Sequence, residues 1–392
     1  MQRKVDLGED KNLFRLDPNA QQKPQASFLM DDLPKSPEAA LTEAREATWS
    51  NWINSDPLLI AHLDDDGKSY LFHISENIKN KVVLVDFWDY TLLPCKRALS
   101  YVVEWTRRYQ PAGLVTVGVH CPMFEFGKDK KNVLDAIRAY DITYPVVLDN
   151  NFDIWRSFEN RYWPRRILFD PSGKPQKDVV GEGDYVEFEK NIQLLLREIS
   201  PGLACPPVIR PTRKIDLPDY QIPATTQDIF FGFKRKTRFA NAQPFTGIGE
   251  EMTFTDESQG SYAPDLPYLN GKWVLAHESI HGTNSKDELQ LAINFKATDV
   301  YMVAQAKPKN PGDVSQAVKV QIWLDQKLVS DDNLGEDAMI NEFRRSVATI
   351  RDPKLYHLVT GLEHKEHLLT LKVEMDATDT LEIFALFFEH GA

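Results

Sequence analysis

The chain has 392 residues, of which 42% are hydrophobic, 11% aromatic and 27% charged. This length is enough for about two or three domains, each with a core of its own. The formal net charge of −12 argues against nucleic acid and anionic membrane surfaces as partners, because both require a basic face.

The cysteines and the apolar runs bear on the compartment. The chain has only three cysteines, Cys95, Cys121 and Cys205. A small, odd number of cysteines argues against a disulfide framework and suits a reducing compartment. The N-terminus lacks the apolar region of a signal peptide, and no run approaches the roughly 18 apolar residues of a membrane span. We therefore expect a soluble, cytoplasmic chain without a membrane span.

Residues 1–54 are predicted to form an N-terminal extension. A polar arm rich in Gln and Pro leads into a helix over 36–52, which begins with a Ser cap and a Pro in its first turn. Strands over 57–63 and 69–74 then flank Asp64-Asp65-Asp66-Gly67, which predicts a hairpin with an Asp-Gly turn. A calcium loop is the alternative for the Asp triplet, but no ligand pattern with a distal Glu follows it.

A regular alternation of strands and helices begins at Val82. The predicted strands cover 82–87, 114–120, 144–148, 166–169 and a segment near 179, and the predicted helices cover 94–109, 128–139, 152–158 and 185–199. The first strands are expected to be parallel, and the last two to form an antiparallel hairpin across Asp170-Pro171-Ser172-Gly173. This order predicts an α/β domain over residues 55–205.

The pattern changes after Pro201-Gly202, which is a linker signal. Beyond it, short runs of period-two or continuous apolar character are separated by clusters of Gly, Pro, Asn and Asp. The predicted strands are 272–276, 288–295, 299–304, 318–324, 355–360, 368–373 and 381–388. Such a succession predicts an antiparallel β-sandwich over residues 206–392, with the topology of a jelly roll.

The most informative segment is Lys81 to Lys96. A buried apolar strand passes through Asp86 to Trp88, and a helix begins near Pro94-Cys95 after a short loop. This segment, Gly118-Val-His-x-Pro122 and Asn160-Arg-Tyr-Trp-Pro164 together resemble TlpA-like redoxins of thioredoxin type, and in particular the C-terminal region of DipZ-type proteins. Thr226-Gln-Asp-Ile-Phe-Phe-Gly232 and Leu269-x-Gly-x-Trp273 resemble the sandwich that follows in those proteins.

The resemblance implies a fold and a location. The fold is an α/β thioredoxin-like domain followed by an all-β sandwich that is similar to carbohydrate-binding modules. An extracytoplasmic location becomes the alternative to the cytoplasmic one.

The resemblance also implies what the motif can do. In the family the loop reads Tyr-Thr-Cys-x-x-Cys, and its first cysteine is a thiolate at the helix N-terminus that attacks a disulfide. Leu92 stands in the place of that cysteine, and only the second one, Cys95, remains. Cycling of a Cys-x-x-Cys disulfide at residues 92–95 is therefore chemically excluded. Met123, where this group usually has an acid, is a second departure.

Any remaining thiol chemistry has three catalytic candidates. They are Cys95, Asp86, which resembles the buried acid that serves the second cysteine in thioredoxins, and Cys121, which is expected on the same edge of the sheet as Cys95. A structural acid is the alternative for Asp86. The implied substrate-binding residues are Trp88, Leu92, Pro94, Trp163 and Pro164, with Trp163-Pro164 in the place of the cis-proline that faces the motif.

No metal and no cofactor is expected. His277-Glu-Ser-Ile-His281 matches the zinc-protease pattern, which requires a helix that brings both histidines to one face. Here the pattern continues a predicted strand, on which two residues four apart are separated by roughly 13 Å, too far for one zinc ion.

The sandwich offers aromatic side chains that could stack on sugar rings if they are exposed, although aromatics on strands are more often core. They are Tyr262, Tyr268, Trp273, Trp323 and Tyr356. Three functions stay open: a degenerate thioredoxin-like protein with a binding or scaffolding role, a single-cysteine oxidoreductase or peroxidase using Cys95 or Cys121, and a module that binds a glycan or protein through the sandwich. Protein thiols or an extended peptide are the expected partners at the thioredoxin-like edge.

Overall fold

The computed structural model describes residues 60–63, 69–70, 78–211, 213–217, 220, 223–235, 238–241, 247–282, 289–308, 316–374 and 379–390. The predicted N-terminal arm and helix lie outside the described residues. The Asp64–Gly67 turn, with its calcium alternative, lies outside them as well.

The first sheet has seven strands, namely β1 (Ile60–Leu63), β2 (Ser69–Tyr70), β3 (Val82–Trp88), β4 (Leu114–His120), β5 (Val146–Leu148), β6 (Arg165–Phe169) and β7 (Pro175–Val180). Their order across the sheet is β2-β1-β5-β4-β3-β6-β7. Strands β3, β4 and β5 are parallel neighbours, whereas β6 and β7 continue the sheet antiparallel. The prediction that parallel strands come first and an antiparallel hairpin last is confirmed. The described parts of the predicted N-terminal hairpin, β1 and β2, also pair antiparallel.

The helices among the described residues are α1 (Leu93–Tyr109), α2 (Lys130–Ala139), α3 (Asp153–Ser157) and α4 (Tyr185–Ile199). The first of them carries the second half of the motif. Pro94 lies in its first turn, where a missing N–H costs nothing, and Arg107 and Arg108 lie in its last turn, where cations offset the helix dipole. Its buried residues recur at spacings of three and four, so that Ala98, Val102 and Trp105 face the core. Strands β1–β7 and helices α1–α4 are called the α/β unit below.

The second half of the chain forms an antiparallel architecture, called the β unit below. Its strands are β8 (Ile229–Phe230), β9 (Glu251–Phe254), β10 (Pro267–Leu275), β11 (Ile280–Gly282), β12 (Leu289–Lys296), β13 (Asp299–Pro308), β14 (Val318–Leu324), β15 (Lys327–Leu328), β16 (Ala338–Ile340), β17 (Ser346–Ile350), β18 (Lys354–Val359), β19 (Glu366–Glu374) and β20 (Asp379–Glu389).

Two sheet segments of the β unit share β10. Residues 267–270 of that strand pair with β12, and residues 271–274 pair with β9. One segment continues from β12 through β19 and β14 to β17 and β16, and the other runs from β11 through β20 and β13 to β18. This large antiparallel arrangement agrees with the predicted β-sandwich.

One face of the β unit packs on the α/β unit. Tyr301 and Val303 of β13 belong to the same apolar cluster as the α/β core, whereas Val300 and Met302 on the other face of that strand belong to the core of the β unit. Since side chains alternate between the two faces of a strand, β13 is buried on both sides. The continuous apolar character of 300–304 therefore reflects burial between two cores.

Candidate functional site

The motif joins strand β3 to helix α1. Leu92 is the N-cap residue of α1 and has extended backbone angles. Its side chain is fully buried, with 0% of its surface exposed. Cys95 lies in the first turn of α1 and is 1% exposed. Pro94 and Trp88, two of the expected substrate-binding residues, are buried as well. In the position where a dithiol enzyme needs an accessible thiolate this chain has a buried leucine, and the one thiol that remains in the motif is buried as well.

The pKa of Cys95 is raised well above the usual value of a thiol. Burial is the largest cause, and the nearby carboxylates of Asp89 and Asp86 act in the same direction, against one backbone N–H of Asp89 that favours the thiolate. A thiol held in the neutral form is a poor nucleophile. The geometry therefore disfavours Cys95 as a lone reactive thiol.

Asp89 is a site residue that the sequence reasoning missed. Its carboxylate accepts hydrogen bonds from the Thr91 N–H (2.6 Å), from the Thr91 hydroxyl and from the Met123 N–H (2.8 Å). The Thr91 bonds form an Asx-type turn, for which an Asp two residues before a Thr is the available sequence signal. The Met123 bond ties the motif loop to the loop after β4. Asp89 thus fixes two loops that would border a substrate.

His120 completes the buried layer beneath the motif. Its Nε2 atom lies 3.7 Å from the Asp89 carboxylate, and its ring stacks on Tyr90 with centroids 5.5 Å apart. Burial lowers the pKa of His120, and the Asp89 carboxylate opposes that effect. The imidazole is therefore held neutral between two strands.

Cys121 lies next to the motif, as its place after β4 predicts, but it is not accessible. Its N–H donates to the Trp88 carbonyl (3.0 Å), and its fully buried thiol donates to Asp149 (3.6 Å). Burial, followed by the Asp149 carboxylate, raises the pKa of Cys121 well above the usual value. The three cysteines are all free thiols, and Cys205, in the linker, is the most exposed of them.

Asp86 and Arg166 face each other across β3 and β6. They are directly paired in register and both buried. Burial raises the pKa of Asp86 to about 7, and the Arg166 guanidinium opposes that rise. Arg166 donates to the carbonyls of Gly181 and Gly183 and lies over the Tyr185 ring. A carboxyl group with this pKa can hold or release a proton near neutrality, which is the property that a thioredoxin-type acid needs.

The predicted cis peptide between Trp163 and Pro164 is confirmed. Both residues are buried, and the Trp163 ring packs on Trp155 with centroids 4.2 Å apart. The Pro164 carbonyl accepts a hydrogen bond from the Gly181 N–H at 2.7 Å.

Comparisons with known proteins agree with the thioredoxin-like fold of the α/β unit. Residues 80–175 match a family described as thioredoxin-like, and residues 226–388 match one described as a thioredoxin-like C-terminal domain. The thiol-disulfide oxidoreductase YkuV of Bacillus subtilis is 31% identical over 121 residues, which cover 31% of this chain and 81% of YkuV. The chain belongs to the thioredoxin-like redoxins.

Within that family it is a TlpA/DipZ-like redoxin with a C-terminal domain. DipZ of Mycobacterium tuberculosis is 32% identical over 228 residues, or 58% of this chain and 32% of DipZ. The chain therefore spans about a third of the length of that relative. The solved structure of the mycobacterial protein dsbF is 17% identical and covers 36% of this chain and 96% of its own, with a TM-score of 0.30.

The β unit of this redoxin covers the loop that follows β4. Phe124 packs against Phe384 and Phe230 of the β unit, with ring centroids 5.2 and 6.4 Å apart. Arg235 donates to the Met123 sulfur at 3.0 Å, in the position where the family usually has an acid. In addition, Glu278 accepts a hydrogen bond from the Glu125 N–H at 2.9 Å. These contacts bury one flank of the motif.

The first turns of α1 are covered on their other flank. The Arg97 guanidinium bonds both carboxylate oxygens of Glu182 (2.7 and 2.5 Å) and lies 2.9 Å from the carboxylate of Glu389 on β20. Lys96 lies 5.7 Å from the centroid of the Tyr301 ring and 3.7 Å from the Glu336 carboxylate. The redox face of the fold is therefore an interface within the chain.

The remaining predictions concern the β unit. His277 lies in the turn between β10 and β11 and His281 lies on β11, so the expectation that the zinc-protease pattern continues the first strand is wrong. The expectation that the pattern is not helical is confirmed. In the part of the chain that the structure describes, no group of three or more His, Cys, Asp or Glu side chains could hold a metal ion. Nor does any described helix combine the length and apolar character needed to cross a membrane.

The aromatic candidates divide into two groups. Trp273 and Tyr356 are buried in the core of the β unit, at 0% and 3% exposure, so they are not exposed platforms for a ligand. Tyr262, Tyr268 and Trp323 are partly exposed, and the rings of Tyr262 and Tyr268 meet edge-on at 4.9 Å. Only this second group can meet a ligand without rearrangement.

Proposed function

We propose that the chain is a degenerate thioredoxin-like protein that does not turn over a dithiol, and that its motif face has a binding role. The observation that carries the proposal is Leu92, fully buried at the helix N-terminus where the attacking thiolate would lie. In this structure the β unit of the same chain occupies that face. The two units together then form a scaffold, rather than an enzyme that opens its active site to protein disulfides.

The distribution of contacts supports this proposal. The β unit contacts both flanks of the motif, through Phe384 on the side of the β4 loop and through Glu389 on the side of α1. An extended peptide that approached the motif would have to displace these contacts. Because some relatives are oxidoreductases, protein thiols and disulfides are the substrate class to test. We expect no protein thiol or disulfide to react at this face.

The single-cysteine alternative receives less support. Cys95 and Cys121 are both buried, and the pKa of each thiol is raised, so neither has the exposed thiolate that a peroxidase or reductase uses. Asp86 retains a pKa near 7, but without an accessible thiol it has no proton to relay.

Insulin reduction with dithiothreitol tests the proposal. The wild type is expected to show no activity above the reagent blank. The variant Leu92→Cys restores the family's motif, and titration of free thiols should show that the introduced thiol forms a disulfide with Cys95. We expect this variant to remain slow with insulin, because the β unit still covers the motif. Wild-type activity above the blank would overturn the proposal, and full activity of Leu92→Cys would overturn the binding role of the face.

A second function, ligand binding by the β unit, is favoured by one cavity. It has a volume of about 310 Å³, and its lining includes Tyr262, Asn294, Asp325, Gln326 and Glu366. Asp325 is held by His367 Nδ1 (2.8 Å) and by the Leu368 N–H (2.9 Å). An aromatic ring beside amide and carboxylate groups suits a polyhydroxylated ligand such as a glycan.

Binding to a glycan array tests this second function. Gln326→Ala and Glu366→Ala should each weaken any signal, because both side chains line the cavity. The matched control is Glu363→Ala, whose side chain is 79% exposed and pairs with Lys365. An array without signal, or equal losses in all three variants, would remove the glycan as the ligand.

A further inference from the structure

A cleft between the two units lies beside the motif helix. Its volume is about 380 Å³, within the range of pockets that hold small organic ligands. One wall comes from α1, a second from Ile209, Arg210 and Arg213 after α4, and the third from β13, β18 and β20 of the β unit. Neither unit forms this cleft alone.

The cleft concentrates positive charge in an acidic chain. Lys96, Arg97, Arg210 and Arg213 line it, whereas the chain as a whole carries a net charge of −12. Two of these cations are already engaged. Arg97 bonds Glu182 and Glu389, and Arg213 bonds both carboxylate oxygens of Asp216 at 2.9 Å. They hold the walls in place.

Lys96 and Arg210 retain donors for a ligand. The Lys96 ammonium meets the Glu336 carboxylate only at 3.7 Å, and the Glu336 side chain is 78% exposed, so this pair is weak and easily replaced. Arg210 is exposed, and within the described residues no carboxylate forms an ion pair with it. The two cations come from different walls of the same cleft.

The acids of the cleft do not cancel these donors. Glu104 accepts hydrogen bonds from Arg107 and Arg108, and these bonds, that from Arg107 above all, lower the pKa of Glu104 to about 2 against the opposing effect of burial. Glu389 pairs with Arg97 at 2.9 Å. These two carboxylates are therefore neutralised by their own partners, and Glu336 is the one that a ligand would displace.

An apolar surface lies between the charged groups. Leu93 and Ile209 contribute aliphatic surface, and the Tyr301 ring stacks on His357 with centroids 4.1 Å apart and planes at 12°. His357 is itself held by Asp299, 3.3 Å from its Nε2 atom. A fixed aromatic pair next to one weakly paired and one exposed cation matches a ligand with an apolar body and an anionic head.

We propose that this cleft binds a small organic anion, a carboxylate or a phosphate monoester, with its anionic head between Lys96 and Arg210 and its apolar body against Tyr301 and Leu93. Because both units supply the walls, the bound ligand joins them and stabilises the closed arrangement over the motif. The proposal goes beyond the scaffold role and does not depend on any thiol chemistry.

Titration calorimetry of the full chain at low salt tests the proposal, with benzoate, phenyl phosphate and neutral benzyl alcohol as probes. At least one anion should bind to a single site, and benzyl alcohol should not. Lys96→Gln and Arg210→Gln should each weaken binding by at least about tenfold, as expected for loss of a charge-assisted hydrogen bond. Arg197→Gln, which removes a positive charge from the exposed end of α4, should change affinity by less than about twofold.

The outcomes separate the sources of the ligand. Tighter binding of benzoate identifies a carboxylate site, and tighter binding of phenyl phosphate identifies a phosphate site. The proposal is overturned if neither anion binds, if benzyl alcohol binds as tightly as the anions, or if the double variant Lys96→Gln/Arg210→Gln retains wild-type affinity. None of these results depends on insulin reduction. The binding of anions in the cleft and the proposed function of the motif face can therefore be refuted independently of each other.

Discussion

Phe126 and Phe384 meet edge-on, with ring centroids 4.8 Å apart and planes at 78°. Phe126 lies in the loop after β4, beside the motif, and Phe384 lies on β20, the last strand of the β unit. The contact joins parts of the chain that are distant in sequence, and it buries the side of the motif that a substrate would use. The stability of the chain and the access to its thiols should therefore change together.

Phe384→Ala should destabilise the chain by about 3–5 kcal/mol, because it removes a ring that is only 5% exposed from the shared core. Urea unfolding at pH 7 measures the loss. The control is Phe343→Ala, whose ring is 70% exposed and whose stability should stay within about 0.5 kcal/mol of the wild type. Equal effects of the two substitutions would show that the interface contributes little.

Arg97→Met should cost about 3–5 kcal/mol, because it leaves the largely buried Glu182 without its counterion and Glu389 with only Arg213, 4.0 Å away. The Arg97 side chain is 15% exposed, whereas Arg107 on the same helix is 70% exposed and pairs with Glu104. Arg107→Met should therefore cause a far smaller loss. A double-mutant cycle of Arg97→Met with Glu389→Gln should show coupling, and strictly additive losses would rule out a functional ion pair between the units.

The buried Asp86 should make stability depend on pH. Its pKa is raised to about 7 in the folded chain, against about 3.9 for an unfolded Asp, so the folded state keeps a proton that the unfolded state has lost between these values. Stability contributed by this group is complete below about pH 4 and falls as the pH rises to about 7, by an amount of the order of 4 kcal/mol.

Asp86→Asn should remove this dependence. The unfolding free energy of the variant minus that of the wild type should therefore increase between pH 5 and pH 8. Urea titrations at the two pH values measure it, and taking the difference cancels other groups, such as Asp228, whose pKa burial also raises to about 7. A pH-independent difference would mean that Asp86 is ionised throughout.

Much of the α/β unit was predictable, because its strands are apolar runs and its helices carry start and stop signals. Val82–Trp88 and the helix that begins next to Pro94 follow from local sequence, whereas the cis bond before Pro164 was implied by the family resemblance. Leu92 was visible at once as a departure from the family's motif. The domain boundaries at residues 54 and 205, and the roles assigned to the site residues, stay predictions.

The closure of the motif was not predictable from local patterns. It depends on contacts such as Phe124 with Phe384 and Arg97 with Glu389, whose partners are far apart in sequence. One signal was present, because the run Ile383–Phe388 is apolar without alternation. A strand of that kind is buried on both faces, and its second face needs a partner. The role of Asp89 was not predictable for the same reason, because its carboxylate bonds the N–H of Met123, which lies on a separate loop.

The accessibility of Cys95 in the native chain is the most direct measure of whether the β unit closes the motif. Native alkylation with iodoacetamide at pH 8, resolved by peptide mass spectrometry, compares Cys95 with the more exposed Cys205 in the same molecule. We predict that Cys205 is modified first, that Cys95 is protected in the wild type, and that Phe384→Ala accelerates the modification of Cys95. Modification of Cys95 as fast as Cys205 in the wild type would contradict a closed motif.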